Sequence, residues 1–527
     1  MTGPAPRERA PSRVAGVAAS IAAALAHGAA VLLVGYAVML VLATAVLATH
    51  APLWNDELFT YYIARLPTGG DVWTTLATGV EQVPFSFYLV TRASLALFGD
   101  GALGLRLPEI LGFVLMGVCV YAFVARRSSP AYGIVALLVP LATRAWDYAY
   151  EARGYALVLG FGAAALVCWQ RAADGRPRRR LACLGLAASL AAGVGSHYYG
   201  ILIVAPLLVG ELSRSLGRRR VDWPVLASFA GALVPIALFA PLVVASDRYA
   251  TTFWAIPTWD AALRFYQDFL LTTKVTAAIV LVVVLAILTW LVRDRAGRAP
   301  RGEPLRIPRY EVVALVVLLA LPFLGVVTGK LVTGAFTERY ALSAVVGVAI
   351  VVALAARQID GGTPILALAL IVGLGLFGAH RFAVNDTAAR QKARDQMAAF
   401  RFLEAHRGDG APIVISSPHD FFELSHVAAE HGGPHFLYLT DPAAALRYVH
   451  TDAVDLGVLG MRRVAPLHVA PYRRFVASHS RFRVYGEHRN WDWLTSALRA
   501  DGATLRVIAR NGPDGRVLLD VRWPPGS

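Results

Sequence analysis

The chain has 527 residues, of which 57% are apolar and only 16% charged, and its mean hydropathy is +0.54. This composition is typical of an integral membrane protein and excludes an ordinary soluble globular domain. The net charge of +15 comes mostly from arginine. Because the arginines lie in short loops between apolar segments and not on one soluble face, the charge argues against nucleic-acid binding.

Eleven apolar segments are candidates for transmembrane helices. In chain order they cover residues 29–48, 104–125, 130–146, 152–169, 181–196, 198–213, 224–245, 273–292, 311–328, 340–356 and 363–380. The first is too long for a signal peptide, so we predict an uncleaved first span. The stretch 84–98 is also apolar, but it contains Arg92. We therefore predict that it forms a helix lying in the membrane interface.

Arginine clusters predict the orientation of these segments. They lie at residues 7–13, 126–127, 171–180, 214–220, 293–309 and 357. If the N-terminus is cytoplasmic, every cluster falls on the cytoplasmic side, as the positive-inside preference requires. The loop of residues 49–103 and the turns near residues 146–151, 196–199 and 329–339 then lie on the outer face. The Arg and Ala bias is typical of a high-GC bacterial genome, so we predict a multi-pass protein of the bacterial inner membrane.

The C-terminal region differs from the rest of the chain. Beyond residue 385 no apolar run is long enough to span a membrane. Short strand-like stretches alternate there with helical patterns, and the first helical pattern covers residues 395–406. Alternation of this kind favours a layered α/β domain. We therefore predict a multispan membrane domain over residues 1–384 and an extracytoplasmic α/β domain over residues 385–527.

The first candidate functional residues are Asp56 and Glu57, which follow the first span within ten residues. Carboxylates so near hydrocarbon need partners or a function. Adjacent side chains point in different directions, so one can face a site while the other holds the loop. Such a carboxylate could act as a general base or bind a divalent cation.

Further candidates lie in the other outer turns. Glu151 and Arg153 precede one span, His197 lies between two spans, and Arg339 with Tyr340 opens a late span. Arg153 or Arg339 could contact a phosphate. The alternatives are ion pairs at the membrane surface, a hydrogen-bonded structural histidine and an anchor to lipid headgroups.

The order of these motifs resembles that in the bacterial relatives of the protein O-mannosyltransferases. The matching strings are WNDELFTYYIAR, VPFSFYLVTRASLALFGDGALGLRLP, YEARGYAL, SHYYG and TERYAL, within residues 54–345. These relatives are glycosyltransferases with the multispan GT-C architecture that use polyprenyl-phosphate sugars, and they include the lipid A aminoarabinose transferases. The resemblance implies a mainly α-helical GT-C fold, here with about eleven transmembrane helices.

The resemblance also implies roles for the candidate residues. Asp56 matches the catalytic base of the first loop, with Glu57 as its companion. Glu151 matches an acidic residue near the donor phosphate or a metal, and Arg339 matches an arginine at the start of a late span. The chain departs from the family at Gln82-Val83-Pro84, where relatives commonly carry His-Pro or Glu-Lys-Pro.

We therefore predict that Asp56 and Glu57 are catalytic. The predicted donor-binding residues are Glu151, Arg153, His197, Arg339 and Tyr340. If a divalent metal is used, Asp56 and Glu151 are its predicted ligands.

The predicted function is inverting transfer of a sugar from a polyprenyl-phosphate donor to a hydroxyl group of a lipid, glycan or protein on the outer face. A lipid or polysaccharide transporter is the alternative, but transporters commonly have repeated halves, and no internal repeat is visible here. A membrane anchor that displays the α/β domain would need only one span.

Overall fold

The structure is a computed structural model, which describes residues 13–175, 178–246, 253–269, 273–295, 305–361, 363–408, 410–433, 435–487, 492–512 and 515–523. Some of the arginines predicted as cytoplasmic are not described. They are the arginines at residues 7 and 9 and most of the cluster at 293–309, where either the residue or its side chain lies outside the described part of the chain. The protein consists of a large helical domain followed by a small domain with one mixed sheet.

The helices of the large domain follow closely on one another. They are α1 (Arg13–His27), α2 (Ala29–His50), α3 (Asn55–Ala64), α4 (Gly69–Leu76), α5 (Phe85–Phe98), α6 (Ala102–Arg127), α7 (Pro130–Leu138), α8 (Tyr155–Ala173), α9 (Arg179–Ser196), α10 (Val204–Arg218), α11 (Trp223–Ser228), α12 (Leu233–Leu238), α13 (Ala240–Ser246), α14 (Trp259–Arg264), α15 (Thr273–Arg295), α16 (Arg309–Leu319), α17 (Leu321–Thr328), α18 (Ala344–Asp360) and α19 (Ile365–Ala405). Short 3-10 helices include Arg144–Tyr150, Tyr198–Ile203 and Glu338–Ala341.

Helical structure coincides with each of the eleven predicted segments, but the number of spans is not confirmed. Among the described residues, five helical segments are long and apolar enough to cross a membrane, or six if the bent pair α16 and α17 is one span. The other predicted segments form shorter or interrupted helices. Residues 224–245, for example, are divided among α11, α12 and α13, and prolines lie within α11 and α12.

The centre of the helical domain depends on close approach of α6 and α8. A Cβ atom on Gly112 would lie 2.7 Å from the carbonyl oxygen of Ala156, and one on Gly160 would lie 2.4 Å from that of Gly112. Small residues at such crossings allow two membrane helices to pack backbone against backbone. The first half of α6 and the start of α8 are therefore held in a fixed relation, which matters for the loops that precede these two helices.

The predicted cytoplasmic arginines meet at one end of the bundle, where they form ion pairs. Arg126 donates to Asp174 at 2.7 Å, Arg127 to Glu311 at 2.9 Å, and Arg214 pairs with Asp222. The predicted outer turns gather at the opposite end, as described below. The grouping of the loops into two ends therefore agrees with the prediction, while the assignment of each end to a side of the membrane stays a prediction.

Cysteine labelling tests that assignment. In a background with the three native cysteines replaced by alanine, we expect Arg401→Cys to react with a membrane-impermeant maleimide in intact cells. Arg171→Cys should react only after permeabilisation, because its loop lies on the predicted cytoplasmic side. Labelling of Arg171→Cys in intact cells would overturn the predicted orientation.

The predicted interfacial segment forms α5, which is shorter than a span. Arg92 on this helix donates to the carbonyl oxygen of Ala64 at 2.7 Å and to those of Leu66 and Pro67. Its guanidinium thus satisfies carbonyl groups left without partners at the end of α3. This contact packs α5 against α3, the helix that carries Asp56.

The C-terminal domain contains one six-stranded sheet with helices packed on it. Its elements are β1 (Ile413–Ile415), α20 (Pro418–Glu430), β2 (Leu437–Thr440), α21 (Pro442–Val449), α22 (Ala453–Met461), β3 (His468–Pro471), α23 (Tyr472–Ser478), β4 (Arg481–Glu487), α24 (Trp493–Ala500), β5 (Thr504–Asn511) and β6 (Arg516–Arg522). The strand order is β3-β2-β1-β4-β6-β5; β1 to β4 pair in parallel and β6 is antiparallel to both neighbours. The α/β architecture expected for this region is present.

The predicted boundary at residue 385 falls inside a continuous helix. α19 runs unbroken from the apolar segment into the C-terminal domain, so the helix predicted near residues 395–406 is its last part. Polar residues become frequent after 384, but they do not end the helix. Asp147 fixes this region, since it accepts from Arg381 at 2.8 Å and from Asn385 at 3.1 Å.

Candidate functional site

The two adjacent carboxylates at the start of α3 have different surroundings. Glu57 is 1% exposed and receives two bonds from Arg106, including Nε to Oε1 at 2.7 Å. The backbone N–H of Ala152 donates to the same oxygen at 2.9 Å. With both oxygens occupied and no access from solvent, Glu57 fits a positioning role. The predicted catalytic role of Glu57 does not agree with this geometry.

Arg106 extends the positioning role of Glu57 to the end of the first span. Its guanidinium also donates to the carbonyl oxygens of Ala48, Ala51 and Pro52. A single buried arginine therefore joins the end of α2, the start of α3 and the start of α6. This network determines where the neighbouring Asp56 side chain can point.

Asp56 lies between two arginines from distant parts of the chain. Its Oδ2 is 3.3 Å from Nη1 of Arg339 and 3.9 Å from Nε of Arg153, and its side chain is 20% exposed. The Asp56 backbone carbonyl oxygen also accepts from Nη1 of Arg153 at 3.2 Å. Asp56 is therefore a partly accessible carboxylate next to two cations, whereas Glu57 is buried.

Arg153 is held by Glu81, a residue that the sequence patterns did not single out. Nη1 of Arg153 donates to Glu81 at 2.8 Å. Glu81 immediately precedes Gln82-Val83-Pro84, where the chain departs from the resembling family. The only signal for it in the sequence is an acidic residue close to a helix-starting proline in the predicted outer loop.

The turn that carries Arg153 has a special backbone conformation. Gly154 has φ +76, and a Cβ there would lie 2.4 Å from the carbonyl oxygen of Ser196. The N–H groups of Gly154, Ala156 and Leu157 all donate to the Glu109 carboxylate on α6. Only glycine combines this φ with so close an approach, so the 151–154 turn is fixed against the His197 turn.

Several polar atoms around Asp56 have no hydrogen-bond partner among the described residues. They are Nε of Arg153, Nε of Arg339 and Oε1 of Glu151. Buried polar groups in folded proteins are normally paired, and a cluster of exceptions needs an explanation. A polar ligand that brings its own donors and acceptors would satisfy this cluster.

Glu151 has a raised pKa in this setting. Burial, and next the negative charge of Glu57, raise its pKa to about 8. At neutral pH the carboxyl is then mainly protonated and has an O–H to donate. A protonated carboxyl beside two guanidinium groups can accept an anion without repelling it.

Aromatic rings form one wall of the site. The ring of His197 lies 4.9 Å from that of Tyr155 and 5.4 Å from that of Tyr340, and Tyr340 stacks on Tyr199 at 4.2 Å. Burial, and next the charges of Arg153 and Arg339, lower the pKa of His197 to about 3. Its Nδ1 accepts from the Tyr199 N–H at 3.2 Å, so the neutral ring carries its proton on Nε2.

The structure thus brings together all the predicted donor-binding residues. Glu151 belongs to this group through the charges of Arg339 and Arg153, without a hydrogen bond to either. Asp147, four residues before Glu151, does not share its face. The segment forms a 3-10 helix that ends at Tyr150, and Asp147 turns toward α19.

The residues present do not fit a metal site. Within the described part of the chain, no group of three or more His, Cys, Asp and Glu side chains could hold a metal ion. Asp56 already faces the guanidinium groups of Arg153 and Arg339. Positive charge beside Asp56 is therefore supplied by arginine.

Comparison with known proteins supports the resemblance drawn from the motifs. Residues 82–244 match the family described as dolichyl-phosphate-mannose-protein mannosyltransferase. The fold is similar to that of ArnT from Cupriavidus metallidurans in the apo state, with a TM-score of 0.54 and 14% identity over 94% of this chain and 98% of that chain. ArnT bound to undecaprenyl phosphate matches over the same shares with a TM-score of 0.53. No curated protein matches the sequence.

These similarities confirm the suspected resemblance to membrane glycosyltransferases of GT-C type. The family match covers α5 to α12 and most of α13, and therefore the turns of Arg153 and His197 but not Asp56 or Arg339. The shared fold extends over both domains.

Proposed function

We propose that this protein is an inverting glycosyltransferase of the bacterial inner membrane. It moves a sugar from a polyprenyl-phosphate donor to a hydroxyl group of a lipid, glycan or protein acceptor on the outer face. The N-terminus is cytoplasmic, and the C-terminal domain is extracytoplasmic. The ligand named for the similar ArnT structure, undecaprenyl phosphate, belongs to the donor class that we propose here.

The cluster of unpaired polar atoms around Asp56 is the observation that carries the proposal. It combines two guanidinium Nε–H donors from Arg153 and Arg339 with a partly exposed carboxylate. Guanidinium groups are well suited to bind phosphate, and a carboxylate suits proton removal from a hydroxyl group. A pathway for transport would place such groups along the bundle, whereas these gather at one end.

The reaction follows from this arrangement. As Asp56 accepts the proton of the acceptor hydroxyl, the acceptor oxygen attacks the anomeric carbon. The bond from that carbon to the phosphate oxygen breaks, and polyprenyl phosphate leaves with the electron pair. Arg153 and Arg339 stabilise the charge that develops on the leaving phosphate. The Nε2–H of His197 and the O–H of Glu151 are further donors on the same side of the site.

The direct test is a transfer assay with the purified protein in lipid nanodiscs. A panel of radiolabelled polyprenyl-phosphate sugars would be incubated with outer-membrane, periplasmic and cell-wall acceptor fractions. We expect one donor to be consumed, with release of polyprenyl phosphate and label in an acceptor. Unchanged donor across the panel would overturn the proposal, and movement of intact donor across a bilayer would support a transporter.

Binding of the donor phosphate should depend on the two arginines. A charge-assisted hydrogen bond contributes about 1.5–3 kcal/mol, so Arg339→Ala and Arg153→Ala should each weaken donor binding by roughly 10- to 100-fold. Arg339→Lys should weaken it less, since lysine keeps the charge but not the planar pair of donors. Binding would be measured by titration of a polyprenyl-phosphate sugar into the purified variants.

The matched control is Arg144→Ala, because Arg144 is an exposed arginine in the same group of turns. It should bind the donor as wild type does. Wild-type affinity in both Arg339→Ala and Arg153→Ala would place the phosphate elsewhere.

A further inference from the structure

The C-terminal domain packs directly on the loop that carries the proposed base. The ring of Phe422 on α20 lies 5.2 Å from that of Phe59 on α3, and Phe422 is 1% exposed. Nearby, the hydroxyl of Tyr62 and Nδ1 of His426 are 2.9 Å apart. This contact is therefore a packed interface with a buried aromatic centre and a specific polar pair.

Two glycines on α22 bring this domain even closer to the outer loop. A Cβ on Gly457 would lie 3.4 Å from Cζ of Phe59, and a Cβ on Gly460 would lie only 2.4 Å from Cγ2 of Val80. The two glycines are three residues apart and therefore share one face of the helix. Val80 is 8% exposed, and its branched side chain has little freedom to move aside.

Both contacted segments carry groups of the candidate site. Phe59 follows Asp56 by one helical turn on α3. Val80 immediately precedes Glu81, which holds Arg153 at 2.8 Å. α20 and α22 thus contact both the helix that carries the Asp56 carboxylate and the segment whose Glu81 holds Arg153.

A further contact reaches the first turn of α3. Burial raises the pKa of Glu423 on α20, and a backbone hydrogen bond from Asn55, next to Asp56, acts in the opposite direction. α3 has no side-chain cap of its own. A carboxylate at this position complements the positive end of the helix dipole.

We propose that the C-terminal domain positions the site: the face of α22 formed by Gly457 and Gly460, with Phe422 of α20, sets the distance between Asp56 and Arg153. This inference rests on the proposed function, because its main readout is glycosyl transfer. Gly460 is a positioning residue in this scheme and contacts neither donor nor acceptor.

The test is a size exchange across the interface. Gly460→Ala should lower kcat by roughly 10- to 100-fold, because small displacements of a reacting group have effects of about this size. Donor affinity should fall less than kcat, and less than in Arg153→Ala, because Gly460→Ala keeps both guanidinium groups of the site. Val80→Gly removes the clashing atoms, so Gly460→Ala combined with Val80→Gly should recover most of the lost kcat.

Gly408→Ala serves as the matched control, because a Cβ there meets nothing within 4 Å; its kcat should equal that of wild type. If Gly460→Ala does not fold, a mutant cycle of Tyr62→Phe and His426→Gln replaces it, and we expect the two changes to be strongly non-additive in kcat.

Each outcome has a distinct meaning. A wild-type kcat in Gly460→Ala, or a loss that the Val80→Gly exchange does not relieve, would overturn the positioning role. Additive effects in the Tyr62 and His426 cycle would do the same. Absence of transfer by the wild-type protein itself would instead overturn the proposed function.

Discussion

Asp56→Asn should bind the donor but transfer sugar roughly 10²- to 10⁴-fold more slowly, the usual contribution of a general base. Asparagine keeps the size of the side chain and can still accept a bond from Arg339, but it cannot take the acceptor proton. Turnover of a saturating polyprenyl-phosphate sugar would be compared with donor affinity for the same preparation. The effect should therefore appear in kcat, with donor binding nearly unchanged.

Asp100→Asn is the control for this substitution. Asp100 lies in the same outer loop, is 65% exposed and pairs with Arg65, so its loss should leave turnover intact. Wild-type turnover in a folded Asp56→Asn protein would remove Asp56 from the mechanism.

Glu57→Gln should destabilise the protein strongly, unlike the neighbouring substitution Asp56→Asn. Arg106 and Glu57 are 2% and 1% exposed in their side chains, and breaking a buried pair by removing one charge typically costs about 3–5 kcal/mol. We expect a large fall in the unfolding temperature, measured by tryptophan fluorescence in detergent. Asp100→Asn, which breaks the exposed pair with Arg65, should change stability by no more than about 1 kcal/mol.

A double replacement separates the ion pair from the rest of the network. Buried pairs can often be replaced by apolar residues without loss. Glu57→Leu combined with Arg106→Met should nevertheless fail to restore stability. Arg106 also satisfies the carbonyl groups of Ala48, Ala51 and Pro52. Full recovery in this double variant would contradict the connecting role of Arg106.

Much of the site is predictable because it depends on local rules. Arginine clusters divide the loops between two ends of the bundle, and that division alone assigns Asp56, Arg153, His197 and Arg339 to the same end. The adjacent side chains of Asp56 and Glu57 are expected to diverge, because neighbouring residues point apart. Which of the two faces the site depends on their partners, and those partners come from other segments.

The rest depends on contacts between distant segments. Arg106 and Glu109 lie in an apolar run that predicts a span, so nothing local indicates that one binds Glu57 and the other holds the 154–157 turn. Glu81 supports Arg153 from 72 residues away. The boundary predicted at residue 385 rests on a change of composition, and the sequence gives no sign there that α19 continues to Ala405.

Because α19 is uninterrupted, it fixes the rotation of the C-terminal domain relative to the helical domain. Its 41 residues correspond to a rod of about 60 Å, anchored to the bundle through Arg381 and leading directly into the sheet. One residue inserted near 390 would turn everything beyond it by about 100° and carry Phe422 away from Phe59. Two added turns would restore the angle but raise the domain by about 10 Å. Helical phase along α19, as much as side-chain chemistry at the interface, thus limits how this chain can tolerate insertions and deletions.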